Sequence, residues 1–409
     1  MPVSKDDRDV VRELAHQIAE IAALPGHQEK FGLWRDLNGL RPTRPLVWID
    51  EVPWHEVSEV ELRTRDERVR NIELAMRCLI YQWRHFAADM IVERVWYTPF
   101  VFTDTGYGLQ VVATRPELPR GAAHYHSVIS SEADVEKIRD PVITPDWAAT
   151  ERRYDLACDL FGDILEVRKR GVVHEWCAPW DILAMWWGLD RVYEDMVDRP
   201  ALVHKAIARL TDAILARLDQ LEAYHLLSVS NGNHRVGSGG LGITDELPGP
   251  DFDPRHVRPT DQWGMSTGQI FVGVSPAMHD EFCVQYEKRY LARFGLNYYG
   301  CCEPLHRKIG ILRSVPRLRK ISISPWADPA EAAAQIGTDY VISLKPNPAV
   351  LASEEWDPGR ARRELRQSLE QTRGCCVEVI MKDIHTFRGE PARLAAWAQI
   401  ALEEAARVA

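Results

Sequence analysis

Phe294-Gly295-Leu296-Asn297-Tyr298-Tyr299-Gly300-Cys301-Cys302-Glu303-Pro304 is the stretch on which the fold turns. Its aromatic and aliphatic residues read as a short β-strand. Two adjacent thiols, a carboxylate and a helix-opening proline follow at once. A strand that ends in soft and hard donors predicts a functional tip at its C-terminal end. The segments downstream repeat the pattern. Lys320 to Ile323 is a predicted strand ending in Ser324-Pro325-Trp326-Ala327-Asp328, residues 341–344 lead to Lys345-Pro346-Asn347, and residues 376–381 lead to Lys382-Asp383-Ile384-His385.

Helices separate these strands, at 276–293, 304–313, 330–336, 360–373 and 391–406. Upstream, residues 46–49 form a strand ending at Asp50-Glu51, residues 171–173 one ending at His174-Glu175, and residues 226–229 one ending at Ser230-Asn231. Helical spacing marks 6–24, 62–89 (with Leu74, Cys78, Ile80 and Trp83 inward), 147–168 and 190–224, while 92–102 reads as extended and 115–146 as loop. Short apolar strands alternating with helices predict a parallel sheet covered by helices. About eight strands over this length fit a single (β/α)8 TIM barrel, whose sites lie at the C-terminal strand ends. The expected fold class is α/β, one domain over 1–409, with an N-terminal helical extension at 1–45 and a glycine- and proline-rich loop insertion at 232–268.

The 409 residues are 45% hydrophobic and 27% charged with a net charge of −10, an ordinary globular composition without the basic stripe of a nucleic-acid binder. No signal-like N-terminus and no apolar run of bilayer length is apparent, so a cytoplasmic protein that neither spans nor binds a membrane is expected. A homodimer stays open. The eight cysteines contain no Cys-x-x-Cys, and four of them form the vicinal pairs 301/302 and 375/376. Catalytic, metal-bound or buried thiols are therefore expected rather than a disulfide framework. Cys375 and Cys376 precede a strand and read as structural.

Gly237-Ser238-Gly239-Gly240-Leu241-Gly242 matches G-x-G-x-x-G in letters, but a dinucleotide fingerprint needs a strand immediately before it and a helix at it. A flexible lid over the strand ends fits better. On a regular strand Cys301 and Cys302 point to opposite sides, so one can ligate a metal while the other packs. Asp383 and His385 share one side of the last strand end, and together these four make a candidate zinc set. The bland alternative is two small buried hydrophobes. Glu303, Asp50, Glu51 and His174 are candidate acids or bases, although Asp50 and Glu51 can equally cap a helix. Lys345 and Lys382 are candidate anchors for an acidic substrate group, or simple salt-bridge partners. Trp54, Asn231, Trp263, Tyr299 and Trp326 are candidates to line the substrate pocket.

From about residue 154 onward the order of elements resembles the uroporphyrinogen decarboxylase superfamily, which includes zinc-dependent, corrinoid-linked methyltransferases. Val274-Ser275-Pro276-Ala277-Met278, Phe294-Gly295-Leu296, Ser324-Pro325-Trp326-Ala327-Asp328 and Lys345-Pro346-Asn347-Pro348-Ala349 carry the likeness. The chain departs from the decarboxylases at Trp48-Ile49-Asp50-Glu51, where they have an arginine-rich tip. It departs from the methyltransferases at Tyr299 and Gly300, where they have the histidine of His-x-Cys. The resemblance implies a corrinoid-dependent methyltransferase or demethylase acting on a small methylated substrate with a corrinoid (cobalamin) protein as partner and zinc from Cys301, Cys302, Asp383 and His385. The alternative is a metal-assisted decarboxylase or lyase of a small carboxylic acid.

Overall fold

The computed structural model describes residues 2–114 and 123–408. Six strands form one parallel sheet: β1 Leu46–Ile49, β2 Trp263–Ser266, β3 Leu296–Tyr299, β4 Leu318–Ile323, β5 Val341–Leu344 and β6 Cys376–Met381. Their order is β1-β6-β5-β4-β3-β2. Each of β2 to β6 lies beside its sequence neighbour, and the last strand returns to the first. Helices occupy the intervals, among them Pro329–Ile336, Pro358–Gln371 and Ala392–Arg407. Parallel strands need such crossovers, and coverage by helices accounts for the wholly buried, near-continuously apolar strands. One further segment reaches the sheet through a single parallel bridge, Cys177 with Ser266 of β2, and a separate parallel bridge joins Val172 to Leu227.

Several expectations change. The 232–268 stretch is not simply an inserted loop, because it contains β2. Gly264 hides that strand in the sequence, yet a Cβ there would stand 2.4 Å from Asn297 Oδ1, so the glycine is what lets the strand pack. The helix foreseen at 147–168 ends at Phe161, and Glu166–Arg170 is a strand paired in parallel with Val95–Pro99. The helix foreseen at 62–89 runs over Glu67–Phe86. There Leu74 is exposed and Glu73 is buried instead, because its carboxylate accepts the Arg63 and Thr64 amides and the Thr64 hydroxyl. The loop foreseen from 115 begins outside the described residues, and its remainder contains the strands His124–His126 and Ile143–Pro145 and the short helix Glu132–Val135. The N-terminal extension is helical as expected, over Lys5–Ala22 and Gly26–Asn38. Among the described residues no helix is long and apolar enough to cross a membrane.

The glycine segment is not a lid. Val236, Ser238, Leu241 and Ile243 are buried, and the glycines between them press against side chains of the sheet and against Trp34 of the helix Gly26–Asn38. A Cβ on Gly240 would stand 2.2 Å from Trp34, one on Gly239 2.4 Å from Glu378, and one on Gly237, whose φ is +58°, 2.4 Å from Tyr298. Beneath this plug Lys320 of β4 and Glu378 of β6 form a wholly buried ion pair at 2.8 Å. Glu378 also accepts the Gly240 amide. The plug is thus bonded to the sheet as well as packed on it.

Candidate functional site

Strand alternation sets the first contacts. Tyr298 and Tyr299 are both fully buried but face opposite ways. The Tyr298 hydroxyl meets Ser238 at 3.0 Å, Ser343 at 3.1 Å and the Lys345 amine at 2.8 Å. Tyr299 instead donates to Glu287 at 2.7 Å, on the helix Gln285–Leu291. Tyr299 therefore belongs to the packing between strand and helix and does not reach the strand-end cluster, contrary to its expected place in a substrate pocket.

Beyond Tyr299 the strand stops. Gly300 takes φ +97°, where a side chain would be strained, and the chain turns. The opposed thiols expected of a regular strand are therefore brought together, with Cys301 Sγ 3.5 Å from Cys302 Sγ. Glu303 fixes this turn, since its buried carboxylate accepts from the Cys301 amide (2.9 Å), the Thr267 hydroxyl (2.9 Å) and the Gly268 amide (3.1 Å). Its role is positional rather than that of a free acid.

One ammonium group organises the cluster. Lys382 Nζ lies 3.6 Å from Cys301 Sγ, 3.9 Å from Cys302 Sγ, 2.7 Å from Asp383 and 3.9 Å from Glu51. The Cys302 thiol donates to Asp383 at 3.7 Å, and the Asp383 amide donates to Glu51 at 3.0 Å. Arg235 closes the far side by pairing with Asp50 and, at 3.4 Å, with Glu51. Glu51 and Asp383 both hold positive φ, +55° and +56°. Non-glycine residues in that region are strained, and such strain concentrates at functional sites.

The charges follow from this arrangement. The Cys302 hydrogen bond, aided by Lys382 and Lys345 against the opposing effect of burial, draws the Cys301 thiol below its usual value, while Cys302 is held above its own and keeps the shared proton. Burial disfavours the Lys382 charge, but Cys301, Asp383, Cys302 and Glu51 outweigh it and keep the ammonium above its ordinary range. Lys345 goes the other way. Wholly buried, it has three uncharged acceptors, and desolvation pushes it down to about 7. Burial likewise raises Glu51.

The expected zinc set does not assemble. His385 is exposed and makes no hydrogen bond or ion pair among the described residues, and Lys382 already stands as the cation among both sulfurs and Asp383. Among the described residues no group of three or more His, Cys, Asp and Glu side chains could hold a metal ion. The other expected residues lie elsewhere. Trp263 is buried in β2, its indole N–H donating to Gly242 O at 2.9 Å. Asn231 uses its amide to tie Thr244 and Leu247 together. Trp54 packs edge-on against Tyr81. Trp326, 70% exposed, borders a cavity of about 580 Å³ that Asp328, Asn347 and Arg360 also line and that Lys345 of the cluster reaches. His174 lies on the wall of another cavity, with Tyr97 and Arg170. Arg235 is the residue that sequence reasoning missed. The uncompensated Asp50-Glu51 pair was the only hint that a cation must arrive from elsewhere.

No family model matches the chain, and no curated protein matches it. Among solved structures, a methyltransferase from Methanosarcina mazei aligns with 91% of this chain and 97% of its own, at 11% sequence identity and a TM-score of 0.48. A likeness at that level carries no weight for fold or function.

Proposed function

We propose that this chain is a methyl-transferring enzyme. In this reading it moves a methyl group between a small methylated substrate and a corrinoid partner, on a (β/α)8 barrel. The pairing of the last strand with the first, and the parallel bridge of Cys177 to β2, support barrel closure. One observation carries the chemistry: a thiol pair and two lysines are gathered at parallel strand ends, two of these groups holding protons that move near neutral pH. Breaking a methyl–heteroatom bond leaves an electron pair on the heteroatom, which must be protonated or otherwise stabilised. Lys345 and the Cys301/Cys302 pair can supply that proton at neutral pH. Lys382 and Asp383 stay charged and hold the thiols in place. The corrinoid supplies a nucleophile of high affinity for methyl groups, and it enters from the likeness of the strand-end motifs. Zinc takes no part in this reading. The test is turnover of methoxy, methylamine and methylthio compounds with free cob(I)alamin, in wild type and Cys301→Ser.

A second reading rests on Lys345 alone. A buried amine that is largely neutral near pH 7 is a nucleophile, and it could condense with the carbonyl of a small keto acid, releasing water, to begin decarboxylation or lyase chemistry. Borohydride reduction in the presence of pyruvate, followed by peptide mass spectrometry, would mark Lys345 if this holds. An unmodified Lys345 leaves methyl transfer as the reading.

A further inference from the structure

Away from the thiols, the strands Val95–Pro99 and Glu166–Arg170 and the segment after them line an open cavity of about 480 Å³, within the size range of small-molecule sites. Tyr97, Phe100 and Phe102 form its apolar wall, and Arg170 and His174 supply its polar groups. Arg170 lies over the Tyr97 ring, 3.9 Å from its centroid. No carboxylate among the described residues forms an ion pair with it, although it is half-buried. Burial lowers its pKa, and only the Tyr97 ring and the more distant Glu93 charge offset that loss of solvation. His174 shows the same deficit: both its ring nitrogens are sealed from solvent and have no hydrogen-bond partner. The neighbouring His234 leaves its Nε2 unpartnered too. An arginine without a carboxylate partner and a histidine without any hydrogen bond, side by side on the wall of one cavity, call for an acceptor from outside.

We propose that this cavity binds a small organic carboxylate, its head group paired with the Arg170 guanidinium and hydrogen-bonded to His174 after a turn of the imidazole, its apolar body lying on Phe100 and Phe102. The charge count selects this class. Burial keeps His174 at about 4 and His234 at about 3, so both are neutral, and Arg170 is the single positive charge facing the cavity. One cation matches a monoanion, whereas a phosphate dianion would remain half-compensated. Glu175, also on the wall, is already paired with Arg217. This inference stands apart from methyl transfer and holds or fails without it.

The test is isothermal titration of the full chain with benzoate and with its neutral isostere benzamide. A charge-assisted pair predicts that benzoate binds at least about tenfold more tightly than benzamide. It also predicts that Arg170→Gln removes that advantage while leaving benzamide affinity as it was. His174→Phe should weaken benzoate by a smaller factor. Equal affinity for the two compounds in the wild type, or no binding of either, overturns the proposal without reference to any variant. So does inorganic phosphate that displaces benzoate at lower concentration than benzoate itself requires.

Discussion

Lys382 is 2.7 Å from Asp383 and within 4 Å of both sulfurs, so its charge adds to the Cys302 hydrogen bond in favouring the Cys301 thiolate. Removing it, as in Lys382→Met, takes away a positive charge that favours the thiolate. The Cys301 pKa then rises, and its alkylation by iodoacetamide at pH 7 should slow by about tenfold, with the pH midpoint moved upward. An unchanged rate would show that Lys382 does not govern the thiol. Lys345 makes a second residue-scale prediction. Its folded pKa of about 7 lies below the ordinary lysine value, so between pH 7 and about 10 the unfolded chain binds the proton that the folded chain does not. That group's contribution to stability therefore rises with pH across this window and is least favourable below 7. Lys345→Met should flatten the corresponding slope in urea-denaturation midpoints. Both lysines and both thiols were legible in the sequence because each ends a strand. Arg235 was not, since it meets Glu51 across 184 positions of chain and no local pattern announces such a pairing.

At the scale of elements, β1, β5 and β6 were legible to the residue, because near-continuous apolar runs bounded by polar tips leave little choice. Strand β2 and the glycine plug were misread for one shared reason. Glycine in a sequence signals freedom, whereas here it signals the absence of room, and only the neighbouring side chains distinguish the two. Gly240→Ala should accordingly destabilise the protein by roughly 1–3 kcal/mol through overpacking on Trp34. A mobile loop would tolerate the change, so an unaltered thermal midpoint would restore the lid. The Lys320–Glu378 pair beneath the plug predicts a larger effect. Lys320→Met alone leaves Glu378 buried and unpaired, at a loss of about 3–5 kcal/mol, while replacing both partners with apolar residues recovers most of it.

For the molecule as a whole, the parallel α/β architecture followed from the alternation of strand and helix, and five of the side chains expected at the strand ends, Glu51, Cys301, Cys302, Lys382 and Asp383, do lie together. The identity of the cation there did not follow. A vicinal thiol pair near an aspartate and a histidine reads as a zinc half-site in one dimension. Folding places a lysine among those donors and leaves His385 outside. The central claim is that this lysine–thiol cluster serves methyl transfer. The measurement that bears on it most directly is the rate of cob(I)alamin methylation by a panel of methoxy, methylamine and methylthio compounds, in wild type, Cys301→Ser and Lys382→Met. The account predicts turnover of at least one donor by the wild type and a fall of about a hundredfold or more in both variants. Absence of turnover across the panel, or full activity in Cys301→Ser, would contradict it.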